Sequence, residues 1–325
     1  MNSRTNTGRR ARRLLAAVAA VAALASCGGG STQYRTFVPN RLFVFGDETS
    51  YLSPTGLKYG INGYTSVLNP DGTTTTALNC GVLPNWVQTL ASLWGFGFAQ
   101  CNPNPLVQPQ AYMLAQPGAL SSDIQGQIDT QIANGGLGAG DLATVLAGAN
   151  DIIADYKQYP LMSEAAIDAD LGARARALGA QVDRLLQLGV KVILVTVPDM
   201  GRTPYAYNET ALNQDVNRSI LLTRLTGAFN DQLGVSITVD GSQVGLVQAD
   251  QRTDLMADSP GGYGLANVTQ GACLANAAPP ACNTTTLVSG ASASTWMWAD
   301  DLNPSAAWQA QIGALAVARI HSNPF

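Results

Sequence analysis

A glutamate stands where the first predicted strand ends. The apolar run Leu42–Phe45 leads into a turn at Gly46 and Asp47, and Glu48 is the next residue. In open α/β sheets, ligands bind at the carboxyl ends of the strands. A carboxylate at this point could act as a general acid or base, or it could simply cap or pair locally.

More polar groups follow later apolar runs. Asn150 follows the predicted strand Leu142–Leu146, and its amide could donate to a developing negative charge. Asp300 and Asn303 lie just before the last predicted helix. Two close carboxylates, such as Glu48 and Asp300, can hold their pKa values apart and act as an acid–base pair on an ester or a glycoside.

Four segments together resemble the sequence blocks of the GDSL, or SGNH, ester hydrolases. They are Phe43–Ser50, Gly148–Asp151, Val197–Pro204 and Trp298–Ser305. They occur in the family's order, and the resemblance covers about residues 40–322. It implies an α/β fold with a doubly wound, flavodoxin-like parallel sheet and, by family, hydrolysis of acyl esters.

The resemblance also assigns a role to each position. Glu48 occupies the position of the family's nucleophilic serine, and Asn303 that of the histidine base. Asp300 matches the acid that orients the base, and Asn150 matches the amide that donates to the oxyanion. A serine esterase needs a hydroxyl nucleophile and a base within hydrogen-bond reach. Because neither is present at these positions, the resemblance implies that the serine mechanism is lost.

The sequence offers two positions for the second oxyanion donor. The family has a glycine just before the helix that here begins at Trp86. The aligned residue is Leu83, and Gly81 lies two residues earlier. Whether Gly81 still supplies a backbone N–H to the site stays open at this point.

Neighbouring residues do not restore a triad. Thr49 and Ser50 carry hydroxyls, but a slip of one residue would turn the side chain away from the strand end and would still leave no base. The only histidine, His321, lies roughly 27 Å beyond Asn303 if the intervening segment is helical.

Three hypotheses for function follow. We favour a degenerate family member that binds an acyl or glycan ligand without turnover. The alternatives are a hydrolase that uses the carboxylates of Glu48 and Asp300, and a scaffold lipoprotein that acts through its loops. Trp296, Trp298 and Trp308 flank the closing block, where they could form a platform for a sugar or acyl group, although packing in the core is the simpler expectation.

The first 27 residues are expected to be a leader. Four arginines between Arg9 and Arg13 precede the apolar stretch Leu14–Ala25, which is too short to span a bilayer. The stretch ends at Cys27 in a pattern that resembles a bacterial lipobox. An ordinary secretory signal with an incidental cysteine is the alternative.

The lipobox resemblance implies that Cys27 is acylated and anchors the chain in a lipid bilayer of the bacterial envelope. Gly28 after the cysteine resembles lipoproteins that are sorted to the outer membrane. Residues 28–40 are Gly-rich and polar, which is typical of a flexible tether. Residues 41–325 are then expected to form one hydrolase-like domain.

Composition limits the partners. The sequence is 46% apolar and 12% charged, enough for a large core. Without the five arginines of the leader, 13 basic side chains remain against 22 acidic ones, a net charge of −9. Nucleic-acid binding depends on clustered Lys and Arg, so nucleic acid is excluded as a partner. No metal or cofactor motif is present, and none is expected.

The remaining cysteines predict disulfides. Cys80, Cys101, Cys273 and Cys282 are an even set in a chain that is expected to be exported. Three pairings are open. The most economical joins sequence neighbours, Cys80 with Cys101 and Cys273 with Cys282.

Apolar periodicity predicts alternating strands and helices, which indicates a parallel sheet in one domain. Two segments break the alternation, 102–116 and 251–294, and are expected to be surface insertions. The predicted strands are 42–45, 142–146, 190–197 and 244–247, and the predicted helices are 86–94, 121–134, 167–189, 212–233 and 304–320.

Overall fold

Apolar side chains alternate along the first strand, and each face of the sheet buries one set. The computed structural model describes residues 37–102, 108–238 and 241–322. Phe43 and Phe45 pack against one layer of helices, while Leu42 and Val44 pack against the other. Since successive strand residues point to opposite faces, this alternation places a helical layer on each side of the sheet.

The strands form one five-stranded parallel sheet and two small two-stranded sheets. Their bounds are β1 Arg41–Gly46, β2 Tyr64–Leu68, β3 Thr74–Leu78, β4 Ala111–Met113, β5 Asp141–Leu146, β6 Lys191–Val195, β7 Val244–Val247, β8 Asn267–Gly271 and β9 Trp296–Trp298.

The helices fill the connections between these strands. Their bounds are α1 Trp86–Ser92, α2 Asp123–Gly135, α3 Ala149–Tyr156, α4 Glu164–Gln187, α5 Pro204–Asn213, α6 Asn217–Ser236, α7 Ala249–Asp258 and α8 Ala306–Ser322.

The large sheet has the order β4-β1-β5-β6-β7. Taken without the β2–β3 hairpin, this is the 2-1-3-4-5 order of doubly wound, flavodoxin-like folds. The predicted fold class is therefore confirmed. The order also places the carboxyl ends of β4, β1 and β5 side by side at one edge.

Both predicted disulfides are present. The Cα atoms of Cys80 and Cys101 are 5.4 Å apart, and those of Cys273 and Cys282 are 5.8 Å apart. The leader, the lipidation site at Cys27 and most of the predicted tether lie outside the described residues. The described residues belong to one compact unit.

Several elements differ from the sequence prediction. The predicted helix 212–233 is two helices, α5 and α6, because Gln214 adopts a left-handed conformation between them (φ 49°). The predicted insertion 251–294 begins with most of helix α7, whose buried residues Ala249, Thr253 and Met256 follow a helical spacing. The predicted insertion 102–116 contains strand β4 of the main sheet, which the sequence did not indicate. Helix α3, the β2–β3 hairpin and strands β8 and β9 were not predicted either.

Candidate active site

Three neighbouring strand ends hold Glu48. Strand β1 pairs in parallel with β5, with Gly46 opposite Leu146, so the loops after both strands leave the same edge. The amide Nδ2 of Asn150 donates to Glu48 Oε2 at 3.0 Å. The backbone N–H of Gly118, from the loop after β4, donates to the same oxygen at 2.7 Å. The sequence-predicted pair Glu48 and Asn150 is thus brought together, and Gly118 is a third member that the sequence did not indicate.

This contact changes what the site can do. The resemblance to the GDSL ester hydrolases implies that the amide of Asn150 would donate to the oxyanion of a bound ester. Here its N–H is already satisfied by a carboxylate oxygen of the same chain. Hydrogen bonds to a charged oxygen are stronger than those between neutral groups. The Glu48 carboxylate therefore engages both the Asn150 amide and the N–H of Gly118.

Helix α3 and its neighbours fix Asn150 in place. Asp151, the next residue, is fully buried and accepts from both the backbone N–H (2.8 Å) and the hydroxyl (2.9 Å) of Ser121. Arg174 of α4 forms an ion pair with the same carboxylate at 3.4 Å. Asp151 therefore ties the loop after β4 to the start of α3.

Asp47 is buried beneath the turn and is 1% exposed. Its Oδ1 accepts from the backbone N–H of Thr49 at 2.9 Å, while its Oδ2 has no hydrogen bond in the described part of the chain. Burial, and secondarily the negative charge of Glu48, raise the pKa of Asp47 well above its usual value. Because Asp47 is buried, it cannot touch a ligand, and its hydrogen bond serves the turn itself.

The hydroxyls that follow Glu48 face inward. Ser50 is fully buried, and its Oγ accepts from the indole Nε1 of Trp86 at 3.1 Å. Thr49 is 7% exposed, and its backbone carbonyl accepts from Gln309 Nε2 at 3.1 Å. Neither hydroxyl is placed to attack a ligand at the sheet edge.

The closing block forms a second hydrogen-bonded pair. Asn303 Nδ2 donates to Asp300 Oδ2 at 2.9 Å. The backbone N–H groups of Asn303 and Leu302 donate to Asp300 Oδ1 at 2.6 and 2.9 Å. The amide N–H of Asn303 therefore makes the bond to the acid that an imidazole N–H would make in a triad. An amide cannot accept a proton near neutral pH, so the pair has the orientation of a triad without its base.

Helix α8, which follows the closing block, contacts the turn after Glu48 and the start of α1. Gln309 donates to the carbonyl of Thr49 and accepts from the backbone N–H of Trp86 at 2.9 Å. No hydrogen bond or ion pair among the described residues joins Glu48 to Asn303. The convergence of the two pairs on one ligand stays a prediction.

Two backbone N–H groups are candidates for the second donor, those of Gly81 and Leu83. The N–H of Gly81 donates to Asn79 Oδ1 at 2.9 Å, in a local turn. The N–H of Leu83 makes no hydrogen bond among the described residues. Leu83 has a φ of 54°, the left-handed region that favours glycine. Position 83 therefore has a backbone conformation that favours glycine although it holds a leucine.

The three tryptophans belong to the core. Trp298 and Trp308 are fully buried, and Trp296 is 9% exposed. The indole of Trp308 donates to Thr253 of α7 at 2.8 Å, and that of Trp298 to the carbonyl of Val268 at 3.2 Å. The ligand platform is therefore wrong, and the alternative of core packing is confirmed.

Asp199 in the third block supports the loop after β6. It is 2% exposed and accepts from the backbone N–H of Gly201 (2.8 Å) and the hydroxyl of Thr223 (2.9 Å). Burial raises its pKa to about 7, against the effect of these hydrogen bonds. Its contacts bind α6 to the loop, and none of them points to a ligand.

A cleft of about 460 Å³ lies beside the closing block, within the size range of ligand sites. Asp300 and Asp301 form one part of its wall. Burial, and then the charge of Asp300, raise the pKa of Asp301. The remaining wall is mostly apolar and comes from the end of β8, the disulfide-closed loop 273–282 and the segment after it: Gly271, Cys273, Leu274, Ala275, Ala278 and Val288.

Within 37–102, 108–238 and 241–322, no group of three or more His, Cys, Asp or Glu side chains could hold a metal ion. In those ranges, none of the helices combines the length and the apolar character needed to cross a membrane.

Solved structures resemble this chain in fold, whereas no protein-family model and no curated protein sequence matches it. One is the acetylxylan esterase Axe2 from Geobacillus stearothermophilus, which is 12% identical with a TM-score of 0.41 over 88% of this chain and 96% of that one. A second is phospholipase A1 from Streptomyces albidoflavus, which is 15% identical with a TM-score of 0.43 over 86% and 98%.

A third is a Parabacteroides merdae protein described as a GDSL-like lipase, 11% identical with a TM-score of 0.43 over 86% of this chain and 97% of that one. The chain spans 56% of a further similar protein, from Bacillus subtilis. The structural neighbours are thus GDSL-like lipases and acetylxylan esterases of the SGNH hydrolase fold, at low identity.

Proposed function

We propose that this chain is a degenerate SGNH-type ester hydrolase that binds an acyl ligand without hydrolysing it. The observation that carries the proposal is the double hydrogen bond at Glu48 Oε2, from Asn150 Nδ2 and the N–H of Gly118. A carboxylate replaces the nucleophile and fills the anion donors. Asn303 replaces the base while it keeps the bond to Asp300.

Carboxylate-based hydrolysis has less support. Asp300 already accepts three hydrogen bonds, from the backbone of Leu302 and from the backbone and side chain of Asn303. Asp47, the other acid near Glu48, is buried and cannot reach a ligand. A general acid and a general base must both reach the reacting group, and these contacts leave Glu48 alone.

The cleft beside Asp300 supports an acyl ligand over a glycan. Its wall is apolar on the side of Leu274, Ala278 and Val288, which suits an aliphatic chain. A glycan would need an exposed aromatic face, and the three tryptophans of this region are buried. We therefore assign the cleft to the acyl chain and the strand ends to the polar head of the ligand.

The wild-type protein should bind acyl esters and leave them intact. We expect no labelling by a fluorophosphonate and no hydrolysis of p-nitrophenyl butyrate, because no hydroxyl and imidazole occupy the site. Saturation-transfer NMR should detect bound ethyl hexanoate. Ala278→Trp should abolish that signal by filling the cleft, whereas Ala281→Trp, on the same disulfide-closed loop but outside the cleft, should not.

Two outcomes would contradict this proposal. Hydrolysis that Glu48→Gln abolishes would establish carboxylate chemistry instead. If the wild-type protein and the variants Ala278→Trp and Ala281→Trp all show no binding of an acyl ester, the scaffold hypothesis would be favoured.

We further propose that Cys27 carries a lipid anchor, as its sequence context suggests. Cys27→Ala should release the protein from the membrane fraction or leave an uncleaved precursor. Fractionation and the mass of the mature protein measure this. Unchanged processing and membrane association in the variant would exclude a lipid at this cysteine.

A further inference from the structure

Lys58 is a buried cation whose Nζ donates only to backbone carbonyls. The residue is 4% exposed, and its Nζ donates to the carbonyls of Cys80 (2.9 Å) and Val82 (3.1 Å). In the described part of the chain, no carboxylate forms an ion pair with it. Burial of an unpaired ammonium is costly, so a cation retained here calls for a role.

One of its two acceptors, the carbonyl of Val82, lies next to Leu83, a candidate for the second donor. The carbonyl of Val82 and the N–H of Leu83 are the two polar groups of a single peptide unit. In a trans peptide they point in opposite directions. An ammonium that fixes the carbonyl therefore also sets the direction of the Leu83 N–H, which has no hydrogen-bond partner among the described residues.

The same contact strengthens the donor. Hydrogen bonds along a chain polarise one another, and an ammonium on the carbonyl withdraws charge from the amide. By holding the Val82 carbonyl, the ammonium of Lys58 also favours the left-handed conformation of Leu83, which a leucine otherwise disfavours. Leu83 and Lys58 line one small cavity, of about 10 Å³, together with Pro304, which follows Asn303.

The backbone of Lys58 is itself held firmly. Asn62 Oδ1 accepts from the N–H of Lys58 at 2.9 Å, and Asn62 Nδ2 donates to its carbonyl at 3.1 Å. Asn62 Nδ2 also donates to Pro280 and Cys282, at 2.8 and 3.0 Å. The ammonium is thus positioned from the loop that lines the acyl cleft.

We infer that Lys58 is a positioning residue that orients and polarises the Leu83 N–H as the second anion donor of the site. This inference rests on the proposed function, since Glu48 already holds the Asn150 amide and the Leu83 N–H is the donor left for a ligand. A glycine at position 83 would adopt the left-handed conformation freely. With leucine there, the contact between Lys58 and the Val82 carbonyl takes over this role. The ligand atom that this donor would meet is the carbonyl oxygen of an acyl group.

Titration of Lys58 gives a direct test. Burial lowers its pKa to about 8. The other titratable group in the wall of the cavity is Tyr59, and Cys80 is disulfide-bonded. Protein labelled with ¹⁵N-leucine, with the Leu83 signal assigned through Leu83→Met, should show the Leu83 amide shifting with a midpoint near pH 8. Lys58→Met should abolish this shift, and Lys157→Met, which removes an exposed lysine, should leave it unchanged.

A kinetic readout addresses the site itself. In a background where Glu48→Ser and Asn303→His create a triad, Lys58→Met should lower kcat on the order of 10²-fold with little change in KM, as expected for loss of one oxyanion donor. If that background proves inactive, the proposed function is in doubt, but the wild-type titration still decides the role of Lys58. A Leu83 amide that stays constant between pH 7 and 9 while the Lys58 Nζ signal titrates would overturn the inference.

Discussion

The double substitution Glu48→Ser with Asn303→His should turn this chain into a serine esterase. Removal of the carboxylate frees the Asn150 amide and the Gly118 N–H for a substrate oxygen. An imidazole at position 303 can donate to Asp300 as the Asn303 amide does now, at 2.9 Å. We expect hydrolysis of p-nitrophenyl butyrate to rise on the order of 10³-fold above the wild-type background, and we expect fluorophosphonate labelling to appear.

The matched controls isolate the triad. Either single substitution should raise activity less than about tenfold, because the members of a triad act as a unit. Glu48→Ala combined with Asn303→His opens the anion donors without a nucleophile and should stay inactive. A folded double variant with no activity and no labelling would show that the Glu48 pair and the Asn303 pair do not converge on one ligand.

Four of the five strands of the main sheet, β1, β5, β6 and β7, could be predicted from the sequence because they are buried on both faces. Runs such as Val190–Val197 are nearly continuous in β-branched and aliphatic residues, and burial on two faces requires this. The long helix α4 showed its apolar stripe in the same way, through buried residues from Ile167 to Leu185. These signals are local, so one sequence was sufficient to find them.

Elements without a strong local pattern were missed. The hairpin β2–β3 is exposed on both faces, so it has no alternation of apolar residues. Helix α3 has only eight residues and begins within the Gly148–Asp151 block, so it is too short to show a clear helical periodicity. Short or exposed elements depend on tertiary contacts that no local window contains.

The same limit applies to the candidate site. Glu48 and Asn150 could be predicted because each follows an apolar strand. Gly118 and Lys58 could not, since both act through the direction of a backbone group, and the sequence around them has no distinguishing pattern. The sequence could not decide between Gly81 and Leu83 for the same reason: glycine is the usual residue for a left-handed position, but the chain places Leu83 there.

Gly46→Ala should destabilise the protein by about 4 kcal/mol and remove the turn that carries Glu48. Gly46 has a φ of 151°, and a Cβ built on it would overlap the carbonyl oxygen of Leu146 on the neighbouring strand β5. The same residue is held by the buried amide of Gln127, which accepts from its N–H at 2.8 Å and donates to its carbonyl at 2.9 Å. Neither backbone can move without loss of these bonds.

Denaturant unfolding of Gly46→Ala beside Gly126→Ala separates this effect from a general response to added methyl groups. Gly126 lies exposed within helix α2, where a Cβ meets open space, so alanine there should stabilise by about 0.5–1 kcal/mol. The two substitutions add the same atoms and should have opposite signs. A Gly46→Ala protein within about 1 kcal/mol of wild type would mean that β1 does not end against Leu146 as described. The contact of Glu48 with Asn150, which depends on that register, would then lose its structural basis.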